Sequence, residues 1–478
     1  MSTPDTAETE VPYGIPLERD HPFDPPAAVM ALHRGSEMRR MRYHPEGRLG
    51  WLVTSHRLAR KVLADTRFSS TLGSPAQVPT PMPGLEDYLD FEGDFPLTPG
   101  MFIEMDPPDH TRLRRRLTGV FTVKRMKQLE PRIAEHVQTR LDALAAGPRP
   151  ADLVADFAVP VPSMMICELL GVPYDQRERF EADSRAIFTM DETGEGKQAA
   201  VVNLFGFIGE LVAAKRANPT DDLLSDLAAD PELADEEVAG MATLLLVAGH
   251  ETTAKMLALG TMALLENRDQ WELLRARPEL MAGGVEELLR YLTIIHTGLI
   301  RQVKEDIEFE GHLIRAREYV TVSVQTANRD EAHFIEPDKL DVTGDAKGHL
   351  TFGHGVHQCL GQQLARMEMR IAFAGLIERF PDLKLAVPAA EVPLVTGQSF
   401  YGVAELPVTW LGGAMVRIIA DTEACASSGM CALTAPVYFD QDDEDGRVVL
   451  LADEAEDCDG EVADAVRLCP AGALRLES

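Results

Sequence analysis

Apolar positions recur three and four residues apart through most of the chain, as in "PRIAEHVQTRLDAL", "EEVAGMATLLLVAG", "MLALGTMALLEN" and "GGVEELLRYL". This spacing lines one face of a helix of 3.6 residues per turn and predicts a helix-dominated body. Shorter runs of strand character, "GWLVT", "IEFEGHLI" and "YVTVSV", add a minor sheet. Between Ser74 and Gly100 the pattern gives way to a long loop rich in Pro and Gly, of a length that usually carries function. No internal repeat or low-complexity tract interrupts the rest. After "ELPVTW" comes the small-residue stretch "LGGA", and "MVRIIADTEAC" then opens a new unit with its own apolar run, "RVVLL". The predicted organisation is a body over 1–410, a linker over 411–414 and a small second unit over 415–478. Fully extended, about five residues at this junction reach only roughly 16 to 18 Å at about 3.3 to 3.6 Å each, so the second unit is held close to the body.

The 478 residues, 45% of them hydrophobic, suffice for one large core and an appendage. No stretch approaches the length of a membrane-spanning segment, and the first thirty residues are polar and Pro-rich with no signal-like core, which reads as a cytoplasmic protein. A net charge of −31 disfavours nucleic acid and anionic membranes as partners. Its distribution says more. From Met415 onward there are 15 acidic and 4 basic residues, whereas Arg112 to Lys127 holds seven basic residues and no acidic one. The six cysteines are uneven too: Cys167 and Cys359 in the body, then Cys425, Cys431, Cys458 and Cys469 crowded into the second unit. In a cytoplasmic chain such crowding reads as metal binding before disulfides.

In "TFGHGVHQCLGQQLARMEMRIAFAGLIERF", Gly353, Gly355 and Gly361 surround Cys359, and a helical pattern follows. A thiolate near a helix N-terminus is stabilised by the dipole and by backbone N–H groups. Glycines let backbone approach a flat cofactor closely. Taken alone, a buried structural cysteine would account for the motif. With Phe352, Gly355, Cys359 and Gly361 on the pattern Phe-x-x-Gly-x-x-x-Cys-x-Gly, however, the segment resembles the haem-binding loop of the cytochrome P450 family. One position departs, His357 standing where the family usually has another basic residue. Three further signatures follow the family's order: "EELLR", "AGHETT" and "DPPDHTRLRR". The resemblance spans roughly residues 15 to 410. It is strongest to bacterial soluble members that oxidise macrolides, other secondary metabolites and foreign hydrophobic compounds, through "VPSMMICELLGVPY", "LVAGHETTA", "ANRDEAHF" and "ELPVTW".

The resemblance implies a mainly α (α+β) cytochrome P450 fold with haem b held by the Cys359 thiolate. His110, Arg114, Arg301 and His357 would reach the propionates, and Phe352, Gly353 and Gly361 would line the haem loop. Glu287 and Arg290, three apart on one helical face, would form a buried ion pair supporting that loop. Thr252 and Glu251 would deliver protons, with Ala248 and Gly249 leaving room for oxygen. Thr253 and Cys167 read as structural, and His250 is not a haem ligand in the family. The substrate walls would come from Pro79 to Pro96, Phe188 to Phe207, Leu244, Ala248, Ile294 to Leu299, and Ser399 with Phe400.

The second unit carries "CASSGMC" and closes with Cys469-Pro470. A four-iron ferredoxin uses Cys-x-x-Cys-x-x-Cys and a distant Cys-Pro. Ser428 stands at the middle position, leaving Cys425, Cys431 and Cys469. Residues 415–478 resemble the small three-iron ferredoxins that serve soluble bacterial P450 enzymes, a small α+β ferredoxin-like fold with a [3Fe-4S] cluster. Cys458 is either a free thiol or a fourth ligand that would make the cluster [4Fe-4S].

The implied activity is a monooxygenase that inserts one oxygen atom of O2 into a hydrophobic small molecule, by hydroxylation or epoxidation. Electrons would come from its own ferredoxin unit, docked through acidic and basic faces either on its own body or on another molecule. No G-x-G-x-x-G fingerprint follows a strand, so NAD(P)H would enter through a separate ferredoxin reductase. A monomer is expected. The alternatives are a peroxide-driven haem-thiolate enzyme and a non-catalytic haem redox or gas sensor.

Overall fold

One helix runs through the middle of the body and decides where everything else packs. A computed structural model describes residues 11–44, 46–72, 99–188, 194–396, 398–410, 415–456 and 460–477. The elements that matter here are strands β1 (Met38–Tyr43), β2 (Arg48–Val53), β3 (Phe68–Ser69), β4 (Leu299–Val303) and β5 (Tyr319–Val322), and helices α1 (Asp109–Thr118), α2 (Val123–Ala146), α3 (Asp235–Glu266), α4 (Met281–Leu292) and α5 (Gln362–Arg379).

The apolar segments "EEVAGMATLLLVAG" and "MLALGTMALLEN" stand on either side of "HETTAK" in the sequence. They form one helix, α3, of 32 residues. No proline breaks its hydrogen-bond ladder. The segment Pro160–Leu170, the helix Gly194–Ala217, α4 and α5 all pack on it. A helix covered on several sides has no need of a polar face, and from Val238 to Leu246 and again from Thr253 to Leu264 every side chain is buried. The stretch Gln198–Ala217 is long and apolar enough to cross a membrane by composition. Leu204, Phe207, Ile208 and Val212 nevertheless place it in the body's core.

The sheet has the order β1-β2-β5-β4-β3. Strands β2 and β5 pair in parallel, with Trp51 opposite Val320, and β5 pairs antiparallel with β4, with Arg301 opposite the same Val320. "IEFEGHLI" was expected as one strand and is a hairpin of Ile307–Phe309 with His312–Ile314. Glu310 and Gly311 turn it at φ of 52° and 81°, the two positive values that a tight right-twisted hairpin demands.

Residues 415–477 make β6 (Met415–Ala420), α6 (Met430–Thr434), β7 (Phe439–Gln441), β8 (Val448–Leu450), β9 (Glu454–Glu456), α7 (Gly460–Leu468) and β10 (Leu474–Glu477). Strand β6 lies between β9 and β10, antiparallel to both, and β7 and β8 form a hairpin. Ile418, Phe439, Val448, Val462, Ala465 and Leu474 close a small core of their own.

The Glu287–Arg290 pair expected on α4 forms, with both residues 3% exposed. Arg290 donates from Nε and Nη2 to the two carboxylate oxygens, each at 2.7 Å. Its remaining N–H groups reach the carbonyls of Asn328, Pro337 and Lys339, while the Asp341 N–H donates to Glu287 Oε1. Removing one partner would strand a buried charge, which costs about 3 to 5 kcal/mol. Urea unfolding of Glu287→Ala is therefore expected to show a loss of that order, and a loss below about 1 kcal/mol would contradict the pair's role.

Candidate active site

The loop carrying Cys359 is folded by its own backbone. Gly353 N–H donates to Leu350 O at 2.8 Å and Cys359 N–H to Phe352 O at 2.8 Å, around a short turn over Gly355–His357. Gly355 has φ +76°, and a Cβ there would collide with the carbonyl of Leu63. Gly361 has nothing within 4 Å of where a Cβ would stand, and Gly353 nothing closer than 3.9 Å, so these two glycines border open space. Cys359 is exposed, yet burial among surrounding groups is the main influence on its thiol and pushes the pKa up. Accessibility combined with desolvation marks a thiol that faces an internal cavity. N–H groups of Gly361 and Gln362, with Arg114 and Arg366, pull the other way.

Four cation-forming residues gather beside it. Arg114 donates to Gln358 O at 2.5 Å. The rings of His110 and His357 lie 4.3 Å apart. Both nitrogens of His110, and Nε2 of His357, are buried without a hydrogen-bond partner. Burial lowers Arg301 to about 10, and its guanidinium donates to the carbonyl of Ile300. His357 is lowered to about 3, first by burial and then by His110 and Arg301. Among the described residues no carboxylate lies within ion-pair distance of Arg114, Arg301, His110 or His357. Orphaned donors and unpaired cations in one place fit an anionic group that the chain itself does not supply.

On α3, Ala248 is exposed although it sits midway along a buried helix, so it too borders open space. Thr252, one turn on, donates to Ala248 O at 3.0 Å. Gly249 points elsewhere: a Cβ there would stand 3.0 Å from Ile166 Cδ1. The room expected at Gly249 is filled by Ile166, because adjacent helix positions lie about 100° apart. Thr253 and Cys167 are buried in the core, as expected. His250 donates from Nδ1 to Leu246 O, consistent with its having no ligand role.

The loop is also braced by residues that motif reading passed over. Glu286 accepts from Arg366 at 2.5 and 2.9 Å and pairs with His349 at 3.1 Å. Arg366 in turn lies over the Phe352 ring at 4.4 Å. Asn328 donates to Thr351 Oγ1 and accepts from the Leu350 N–H. The spacing Cys359 to Arg366, two helical turns, was a signal available in the sequence.

A family profile, Cytochrome P450, matches residues 275–386. Cytochrome P450 105C1 of a Streptomyces species is 46% identical over 400 residues, covering 84% of this chain and 99% of that protein. Pentalenic acid synthase of Streptomyces avermitilis is 43% identical over 424 residues, covering 86% and 100%. The crystal structure of CYP105P1 in complex with filipin I aligns with a TM-score of 0.78 at 40% identity, over 84% of this chain and 99% of that one.

The chain belongs to the cytochrome P450 family. It is a cytochrome P450 monooxygenase, an oxidoreductase, and haem with a cysteine thiolate ligand is expected of the family. An accessible thiol bordered by glycines, beside unpaired cations, fits that group. These relatives are matched over nearly their whole length, so they offer no counterpart to the remainder of this P450 chain.

In that remainder Cys425, Cys431 and Cys469 line one cavity with Ser428, Gly429, Gln441 and Pro470. Cys425 Sγ accepts from the N–H groups of Ser427 and Val448, both at 3.4 Å, and Cys469 Sγ from Ala473 at 3.3 Å. Burial pushes the Cys431 thiol up, opposed by the Ala432 N–H. Among the described residues no three His, Cys, Asp or Glu side chains converge on a point where a single metal ion would sit. The wall residues Pro79 to Pro96, the linker 411–414 and Cys458 lie outside the described residues.

Glu286 yields a pH prediction. Burial alone would raise its pKa, but His349 and Arg366 outweigh it and hold the carboxyl at about 2 instead of 4.5. Its contribution to stability is therefore full above pH 4.5 and lost as pH falls through 2. Urea midpoints followed from pH 6 down to about 3 should fall less steeply in Glu286→Gln than in the unaltered chain, and parallel curves would refute the assignment.

Proposed function

We propose that the body, 1–410, binds haem between the Cys359 loop and the Ala248–Thr252 face of α3, and oxidises a hydrophobic small molecule, a macrolide or other secondary metabolite or a xenobiotic, by hydroxylation or epoxidation. The observation that carries this reading is the accessible Cys359 thiol beside two arginines and two histidines that, among the described residues, have no carboxylate within ion-pair distance. Bound there, haem supplies dioxygen activation, and a thiolate ligand favours cleavage of the O–O bond. The chain's own residues do the rest. Arg114, Arg301, His110 and His357 hold the propionates. Phe352, Gly353 and Gly361 let the flat ring approach. Leu244 and Ala248 present an apolar wall that keeps water from the substrate. Thr252 releases its bond to Ala248 O and donates its proton inward, and Glu251 replaces that proton. Glu287 and Arg290 act at a distance, by holding the segment from Asn328 to Asp341 in place. One relative is named for pentalenic acid and one solved neighbour was crystallised with filipin I, which supports the substrate class.

The unit over 415–478 is a ferredoxin that receives electrons from a separate NAD(P)H-dependent reductase and passes them to the haem. Three thiols around one cavity, each sulfur of Cys425 and Cys469 already accepting from backbone, suit a [3Fe-4S] cluster. A polynuclear cluster spreads its ligands over several corners, which is why thiols that do not converge on one ion still suit it. The short linker raises the effective concentration of donor near acceptor. On the basic run, Arg112 is spent on Glu237 and Arg116 on Asp230 and Glu232. Arg115, Lys124, Arg125 and Lys127 are exposed and present the face on which the acidic unit docks. We read the whole as a cytoplasmic monomer.

Cys431→Ala is expected to lose cluster iron and sulfide and most reductase-supported turnover while keeping the substrate-induced haem spectral shift. Turnover equal to that of the unaltered chain would sink the internal-donor reading. Cys359→Ala should lose the thiolate-type carbon monoxide spectrum, and its retention would overturn the haem assignment.

A further inference from the structure

His250 has no part in the reading above, yet it lies beside the residue that supplies protons. Its Nδ1 is 2.7 Å from Leu246 O. A carbonyl only accepts, so Nδ1 carries a hydrogen and Nε2 holds the lone pair of the neutral ring. That Nε2 is buried with no hydrogen-bond partner, and it lies 3.7 Å from Glu251 Oε1. The two side chains are only 2% and 13% exposed. Two lone pairs facing each other at that distance repel, and one proton between them turns the contact into a charge-assisted hydrogen bond after a shift of less than an ångström. The ring has no easy way to turn toward water. Its Nδ1 is tied to the helix, and it meets the Phe180 ring edge-on at 5.6 Å.

A buried cation stands near the pair. Lys255, one turn beyond Glu251, is itself buried and packs along Gly402, and both Glu251 and Arg185 act on it electrostatically.

We propose that His250 Nε2 and Glu251 Oε1 share one proton, and that this pair is the reserve from which Thr252 is reprotonated during turnover. This rests on the reading of Glu251 and Thr252 given above. Thr252 gives its proton inward and takes one from Glu251 Oε1. That is the shared proton, which moves from His250 Nε2 onto Glu251 Oε1 as it leaves, and bulk water then restores it at Glu251, the more exposed of the two side chains. His250 is thus a positioning residue that acts through Glu251.

The test uses the full holoenzyme in two arms. With the ferrous carbon monoxide form labelled with nitrogen-15 at histidine, the His250 Nε2 resonance, assigned by its loss in His250→Phe, should differ from that of a free neutral ring and move back toward it in Glu251→Gln. A neutral, unprotonated Nε2 shift that Glu251→Gln leaves unchanged overturns the shared proton. In the second arm, His250→Phe, which keeps the edge-on packing, should form up to roughly tenfold less product per NAD(P)H, with more peroxide and a larger solvent isotope effect. This is less than the 10²–10⁴ of a direct general acid. The substrate-induced spectral shift should be unaltered, which a merely structural role would not predict. Unchanged coupling and isotope effect in His250→Phe beside an impaired Glu251→Gln overturn the reserve alone. Unimpaired coupling in Glu251→Gln overturns both the reserve and the proton-delivery reading beneath it.

Discussion

The fork between Arg290 and Glu287 is the constraint on which the site depends. A guanidinium and a carboxylate, both almost fully buried, are tolerable only because their polar atoms are used: two N–H groups on the carboxylate, others on three carbonyls, and a backbone N–H on Glu287. Satisfying that pair fixes the chain from Asn328 to Asp341 against α4. Asn328 carries the constraint onward to Leu350 and Thr351, which open the loop of Cys359. Glu286, the adjacent residue, clamps the far side of the same loop through His349 and Arg366. One turn of α4 thus positions the thiol without touching it.

Around the thiol the logic is reversed. Buried groups there are left unsatisfied: both nitrogens of His110, one of His357, and an Arg301 with a carbonyl for company. Desolvation lowers the pKa of all four cation-forming residues, and the charge of Asp106 offsets it only in part for His110, Arg301 and His357. A fold that satisfies Arg290 so completely and leaves Arg301 wanting has reserved a place for an external anion.

The second unit has a different balance. Its core of small and medium apolar residues is modest, and Met430, Leu433, Val437 and Leu451 remain exposed. A unit of this size gains little from burial alone, so a group bound at the three-cysteine cavity would contribute to its folding. Its acidity contrasts with the exposed basic residues Arg115, Lys124, Arg125 and Lys127 of α1 and α2.

The helical body, the thiolate loop, the Glu287–Arg290 pair and the grouping of Cys425, Cys431 and Cys469 were all legible in the sequence. Each is written in local spacing: a 3.6-residue period, a cysteine among glycines, an acid and a base three apart. The continuity of α3 was not, because a helix covered on several sides loses the polar stripe that would mark its length. Nor were the occupation of Gly249's space by Ile166, the loss of Arg112 and Arg116 to Glu237, Asp230 and Glu232, the clamp of Glu286 on Arg366, and the approach of His250 to Glu251. These depend on which residues distant in the chain meet, or on how a side chain turns once its neighbours have taken the room. Sequence determined which chemical groups this protein carries and on which local elements. Tertiary packing alone decided which of them are satisfied and which are left waiting for a partner.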